Sequence, residues 1–169
     1  IAVSSPFASL LHIKTGKEWT VMPNIVHERF FREIREPGNQ LNFRFINICF
    51  LSKKKRVDLL INAFSSVFGG NPKIELYIGG TGDQLPELKQ LVSNLNLEKQ
   101  VVFLGALSRN QVMEEVEKAD VFVLSSEFET FGVVLIEALA MGKPVISTRS
   151  GGPEDIVDEK NGLLVPTNN

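Results

Sequence analysis

The sequence predicts an α/β fold in which a parallel sheet carries helices on both faces. Two observations lead there. From residue 45 onward, short apolar runs rich in β-branched and aromatic residues alternate with stretches whose apolar residues recur at helical spacing, the pattern of strand–helix–strand units. Strands such as VFVL at 121–124 are apolar at every position rather than at alternate ones, as expected where helices cover both faces of the sheet.

In order, the spacing predicts strands at 45–50 (FINICF), 74–78 (IELYI), 101–104, 121–124, 145–147 and 163–165. Between them it predicts helices at 57–68 (VDLLINAFSSVF), 85–95 with Pro86 tolerated in the first turn, 111–119, 132–141, and a short one from 154 to 157. Gly142 and Pro144 stop the fourth helix. The first forty residues are less regular. A strand at 1–4, a short helix at 7–12, a short strand at 20–22, a turn at Pro23-Asn24 and a polar loop at 36–40 are the expectations.

The chain has 169 residues, enough for one ordinary domain with a real core. With 43% hydrophobic and 22% charged residues it reads as globular rather than disordered. A net charge of −2 gives no global attraction to nucleic acid or anionic membrane. The one cysteine, Cys49, excludes an internal disulfide and fits a reducing compartment and a core position. The apolar stretch 131–141 is about half of a membrane span and includes Glu137. His12 and His27 are isolated, and no metal-binding, nucleophile-elbow or P-loop motif is present.

Ligands of an open parallel sheet bind beyond the carboxyl ends of its strands, so the segments after each strand are the candidate sites. After 121–124 comes Ser125-Ser126-Glu127-Phe128-Glu129-Thr130-Phe131-Gly132, then a helix. Gly132 permits close approach of a ligand, and a helix N-terminus favours phosphate. Glu137 stands among Val134, Leu135, Ile136, Ala138 and Leu139. A buried carboxylate there needs a partner. A vicinal diol such as a ribose is one; a structural ion pair with a nearby Lys or Arg is the other. After 45–50 comes Lys53-Lys54-Lys55-Arg56, either a pyrophosphate clamp or a solvated charged turn. Gly79-Gly80-Thr81-Gly82 and Gly151-Gly152 either give a ligand room or shape turns.

These segments resemble, in order and spacing, the retaining glycosyltransferases of GT-B architecture, specifically the GT4 group. Glu129-Thr130-Phe131-Gly132-Val133-Val134-Leu135-Ile136-Glu137 is similar to the group's E-x7-E motif. Lys55-Arg56-Val57-Asp58-Leu59-Leu60-Ile61 resembles its KGVDLLI segment, and Gly79-Gly80-Thr81-Gly82 its G-x-G turn. Val102-Phe103-Leu104-Gly105, Ala119-Asp120-Val121-Phe122-Val123-Leu124-Ser125-Ser126, and Ala138-Leu139-Ala140-Met141-Gly142-Lys143-Pro144-Val145 match further segments, and Asn161-Gly162-Leu163-Leu164-Val165 closes the series.

The resemblance implies a Rossmann-like nucleotide-sugar-binding domain at 41–169, truncated before C-terminal helices, preceded at 1–40 by the end of an N-terminal domain and a linker. It implies transfer of a sugar from a nucleotide-diphosphate donor to a glycan or lipid-linked acceptor. Glu129 would contact the donor sugar at the reacting face, and Glu137 the ribose hydroxyls. Lys55 would neutralise the pyrophosphate. Backbone at Thr130, Phe131, Gly132 and Val133 would meet the sugar and diphosphate, Gly80 would line the donor site, and Leu104 and Gly105 would face the base. No metal and no cofactor is expected, and the setting would be cytoplasmic with peripheral membrane association of the full-length protein. A non-catalytic nucleotide-sugar-binding module or degenerate subunit is the alternative. The family's Gly-Arg pair before the lysine is Cys49-Phe50 here, and the glycine after the lysine is Arg56. Either Lys53 or Lys54 would then take over the phosphate grip, or that grip is altered.

Overall fold

The computed structural model describes residues 1–31 and 42–167. Six strands, β1 (Phe43–Ile48), β2 (Ile74–Gly79), β3 (Val101–Gly105), β4 (Val121–Leu124), β5 (Val145–Thr148) and β6 (Gly162–Val165), form one sheet in the order β3-β2-β1-β4-β5-β6. Every neighbouring pair is parallel. Helix α1 (Ser5–Thr15) precedes the sheet; α2 (Val57–Phe68), α3 (Leu85–Asn94), α4 (Arg109–Glu117) and α5 (Val133–Ala140) make the first four crossovers. The chain builds outward from β1 to β3, returns to the centre, and builds the other way from β4. This is the Rossmann-like α/β fold expected from the sequence, with its strand order reversing between β1 and β4.

Adjacent residues of β1 point to opposite faces, and each face has its own core. Phe45 packs against Val57, Ile61, Phe64, Leu76, Ile78, Leu88 and Val92, the layer of α2 and α3. Ile46, one residue on, joins Met113, Val116, Phe122, Leu124, Leu135 and Val145, the layer of α4 and α5. On the α2 side an apolar groove lies between that helix and strands β4 to β6, lined by Leu60, Val67, Val123, Ile146 and Val165.

The segment ahead of the sheet is tied to it. Ser4 caps α1 by accepting from Phe7 N–H at 3.2 Å, Pro6 suits the first turn, and Gly16 ends the helix in the left-handed region. Ser4 Oγ also donates to the Thr130 carbonyl at 2.6 Å, and Ser5 N–H donates to Asp155 Oδ2 at 2.5 Å. Phe30, in a short 3-10 turn at Glu28–Phe30, is fully buried in the α4–α5 core.

Several boundaries differ from the sequence expectations. The expected strands at 1–4 and 20–22 reduce to one bridge between Ala2 and Val21, because Ser4 is used as a helix cap. With that cap and Pro6, α1 spans Ser5–Thr15 rather than 7–12. No turn forms at Pro23-Asn24, and the expected loop at 36–40 lies outside the described residues. Strand β1 begins and ends two residues earlier than 45–50, in register with β2 from Phe43↔Ile74 to Ile48↔Gly79. Helix α4 starts at Arg109 rather than 111, since Ser108 and Gln111 form a capping box. The short helix expected at 154–157 is a 3-10 turn at Gly152–Asp155, opened by Pro153.

Phe30→Ala should cost about 3–5 kcal/mol in urea unfolding, whereas Phe128→Ala, at a side chain 46% exposed, should change little. An equal, small effect of both would detach the 28–30 turn from the core.

Candidate functional site

The strand order reverses between β1 and β4, and in open α/β sheets the crevice beyond the carboxyl ends of the strands at such a point is where ligands bind. Beneath the crevice the chain is stitched together. Asn47 Nδ2, fully buried, donates to the Val123 carbonyl at 2.8 Å. Ser125 Oγ donates to the Lys55 carbonyl at 2.8 Å, and Glu127 N–H to the Lys54 carbonyl at 2.8 Å. These bonds hold the basic turn Lys53–Lys55 against the loop that leaves β4.

Above them, Lys55 Nζ donates to Glu129 Oε1, which also accepts from Ser126 Oγ at 2.8 Å. The Lys55 side chain is 26% exposed and that of Glu129 13%, so the pair sits at the edge of solvent. The loop carrying Glu129 is braced from β5: Glu129 N–H donates to the Ser150 carbonyl and Gly152 N–H to the Glu129 carbonyl, both at 2.8 Å. A Cβ on Gly152 would lie 2.2 Å from the Phe131 Cα, so only glycine allows this approach. Gly132 then caps α5 at φ 97°. Having no side chain, it offers no acceptor to the first-turn N–H groups. Thr130 and Val133 are exposed beside it, while the Phe131 side chain is buried.

Glu137 lies one turn into α5 and is 4% exposed. Its Oε1 meets Arg109 Nη2 at 2.5 Å. Of the two partners the sequence allowed, an arginine is the one in place in this structure. The Arg109 side chain is 52% exposed, so the pair is open to solvent on that side. Arg109 is the first residue of α4, immediately beyond the β3 loop, which places the Glu137 carboxylate at the crevice end of the sheet. The guanidinium also lies 5.1 Å above the Phe30 ring. Burial pushes the Glu137 carboxyl above its ordinary range, and the charges of Arg109 and Arg29 oppose that rise.

The glycine-rich turn after β2 is a packing device. Gly80, at φ 118°, passes so close to the β1 loop that a Cβ would sit 1.8 Å from the Cys49 carbonyl oxygen. Its N–H donates to the Gly105 carbonyl at 2.8 Å, tying Gly80 to the end of β3. Cys49 is half-buried, and burial pushes its thiol up to about 12, so it stays protonated. Arg56 adopts φ 46°, ψ 40°, a left-handed conformation that costs a non-glycine residue roughly 1–2 kcal/mol.

The structure thus brings Lys55 and Glu129 into contact and joins Gly80 to Gly105. It sets Glu137 apart, with a different cation. Asn47, Phe30 and Arg109 were not singled out from the sequence, and Ser125 and Ser126 were named there only as part of the segment after 121–124. The Ser-x-x-Gln capping pattern at 108–111 was the available signal for Arg109 at a helix start. Among the described residues no three His, Cys, Asp or Glu side chains cluster as a metal site, and no helix is long and apolar enough to cross a membrane.

A parallel sheet with a basic loop and an acidic loop meeting at its reversal has the arrangement in which α/β sheets bind ligands, and the comparisons say to which family the chain belongs. Residues 29–169 match the model of the glycosyl transferases group 1 family, and the chain belongs to that family. It is 34% identical over 173 aligned positions to N-acetyl-alpha-D-glucosaminyl L-malate synthase of Bacillus anthracis, covering 96% of this chain and 45% of that protein. It is 33% identical over 123 positions to a GDP-mannose-dependent phosphatidylinositol monomannoside mannosyltransferase of Mycolicibacterium smegmatis, covering 68% and 32%. The chain therefore spans less than half the length of these relatives. Among solved structures, the C-terminal domain of a group 1 glycosyl transferase from Francisella tularensis superposes with a TM-score of 0.72 at 27% identity over 85% of this chain and 80% of that one. Anabaena HepE in complex with UDP gives a TM-score of 0.85 at 25% identity over 99% and 49%. The GT-B fold expectation is met, and the chain is a partial, C-terminal piece of that architecture.

Because burial raises the Glu137 value, the folded chain holds that proton more tightly than the unfolded one. Stability on this account falls as pH rises above the ordinary value of 4.5. Glu137→Gln, which has no charge to desolvate, should raise the urea midpoint at pH 7, and the gain should vanish near pH 4. A variant less stable than the parent at pH 7 would contradict it.

Proposed function

We propose that this chain is the donor-binding part of a GT4-type glycosyltransferase that moves a sugar from a nucleotide-diphosphate donor to a glycan or lipid-linked acceptor, with retention of anomeric configuration. The carrying observation is the contact of Lys55 with Glu129 at the strand-order reversal, beside the N-terminus of α5. A cation, a carboxylate and free helix N–H groups meet there, which is what a sugar diphosphate needs on its two halves.

On this reading the diphosphate lies between Lys55 and the first turn of α5, with backbone at Gly132 and Val133 against its oxygens. As the bond from the anomeric carbon to the phosphate oxygen breaks, its electron pair stays on the diphosphate, the acceptor's hydroxyl oxygen bonds that carbon, and the hydroxyl proton passes to the leaving phosphate oxygen. The ammonium and the helix dipole stabilise that charge without a metal. Glu129, steadied by Ser126, turns its acceptor oxygens to the sugar hydroxyls, beside backbone at Thr130 and Phe131. Glu137 takes the ribose diol, and the Gly80, Leu104 and Gly105 loops border the base. Residues 1–40 belong to the end of an acceptor-binding domain and its linker, and the full-length protein works in the cytoplasm, at the membrane face when its acceptor is lipid-linked.

The HepE structure holds UDP, and the M. smegmatis relative is named for GDP-mannose, so UDP and GDP are the probes to use. Calorimetry on the full-length protein should show saturable binding of one of them. Lys55→Ala and Glu137→Ala should each weaken it roughly 10- to 100-fold, the value of a charge-assisted hydrogen bond of about 1.5–3 kcal/mol. Glu129→Ala should spare diphosphate binding and abolish transfer, and product NMR should show the donor's anomeric configuration kept. Absence of binding to either nucleotide overturns the reading. A second reading, a non-catalytic nucleotide-sugar module or degenerate subunit, draws on Cys49-Phe50 in place of the family's Gly-Arg, with Phe50 63% exposed. In that case Lys55→Ala and Glu137→Ala leave transfer unchanged.

A further inference from the structure

Glu137 presents a problem that its own helix does not solve. It is 4% exposed, with Leu135 and Ala138 fully buried on the same helix. Such surroundings favour a protonated carboxyl, which gives up acceptor capacity that a diol would use. Two other elements oppose that tendency. Arg109, fixed at the first position of α4 by the Ser108–Gln111 capping box, bonds Oε1 at 2.5 Å. Its guanidinium lies over the ring of Phe30, which is fully buried. Arg29, in the same turn as Phe30 and 5.7 Å from its ring, adds a second positive charge acting on Glu137.

A guanidinium held from below by a ring and from the front by one carboxylate oxygen has a fixed plane. Its contact uses one oxygen of Glu137, and a carboxylate offers about four lone-pair sites. The ion pair and a bound diol are therefore compatible. We propose that Arg109 is a positioning residue for Glu137, holding one carboxylate oxygen from the solvent side so that the ionised group keeps its remaining lone pairs for the ribose diol of the donor. This rests on the reading of Glu137 as the ribose-binding carboxylate.

Among the described residues, the charged groups facing Glu137 from the packed elements are Arg109 on α4 and Arg29 on the 28–30 turn. Without Arg109, the opposition to burial weakens, and the carboxyl takes up its proton at higher pH. The test is the affinity of the full-length protein for UDP and GDP between pH 4.5 and 8, by calorimetry. The nucleotide's own titration is common to all variants, so differences between them report the protein. In Arg109→Gln the fall of affinity on the acid side should move upward by about one pH unit, a tenfold effect. Arg109→Lys should restore most of it. In Glu137→Gln, and in the double variant Arg109→Gln/Glu137→Gln, the difference should disappear. The Glu137 Cδ resonance provides a readout without ligand: its titration midpoint should rise in Arg109→Gln. An acid limb and a Cδ midpoint both unmoved in Arg109→Gln overturn the proposal while leaving the donor-binding reading intact. Failure of the parent protein to bind either nucleotide overturns that reading and this one with it.

Discussion

The site hangs on one contact made across the reversal of strand order. Lys55 follows β1 and Glu129 follows β4, 74 residues apart in sequence. They meet because β1 and β4 are neighbours whose crossovers run in opposite directions along the sheet. Asn47, Ser125 and the Lys54–Glu127 backbone bond draw the two loops together underneath. A partly buried charge pair is a poor source of stability, since its desolvation offsets much of its attraction. Apolar side chains would close the crevice more firmly. On the proposed function, the charges at that place are accounted for by the donor's diphosphate and sugar.

The two glutamates of the Glu129–Glu137 segment are solved differently although only seven residues separate them. Glu129 sits on a loop with an ammonium and a hydroxyl, and its backbone is bridged to Gly151. Its neighbours are polar and local to the crevice. Glu137 is carried by an apolar helix and draws its cation from another helix and its support from the 28–30 turn. The first carboxylate is set by the loops at the reversal. The second depends on how α4, α5 and the chain ahead of the sheet pack together.

How much of this was legible in the sequence follows from the range of each interaction. The interior of each β-strand and α-helix from residue 43 onward was, because continuous apolar runs and period-3.6 patterns are local. Helix α2 and strand β4 match to the residue. Boundaries moved where a side chain took an end-capping role, as Ser4 and Ser108 did. Glu137's need for a partner was readable from its apolar neighbours. That the partner is Arg109 was not, since nothing local relates 109 to 137. The glycines at 80 and 152 read equally as ligand room or as turns. Their built clearances of 1.8 Å and 2.2 Å to neighbouring backbone show that loop packing alone requires them. Arg56, in the place of a family glycine, keeps the left-handed backbone that glycine would adopt freely. The loop geometry after β1 is thus imposed by its surroundings rather than by the residue.

The chain ahead of the sheet touches both halves of the site. Ser4 Oγ bonds the carbonyl of Thr130, next to Glu129, and Phe30 lies under the guanidinium that holds Glu137. Asp155, just past the Gly151-Gly152 brace, bonds the first turn of α1. The sheet alone therefore does not set the two carboxylates; a segment from outside it takes part in placing each. If that segment is the end of a second domain, a shift in it reaches Glu129 through one hydrogen bond and Glu137 through one ring. Donor geometry would then be sensitive to domain position without any residue of the second domain touching the nucleotide. The physical condition for such sensitivity is that the contacts be few and directional, and a 2.6 Å hydroxyl–carbonyl bond and a 5.1 Å cation–ring contact are both.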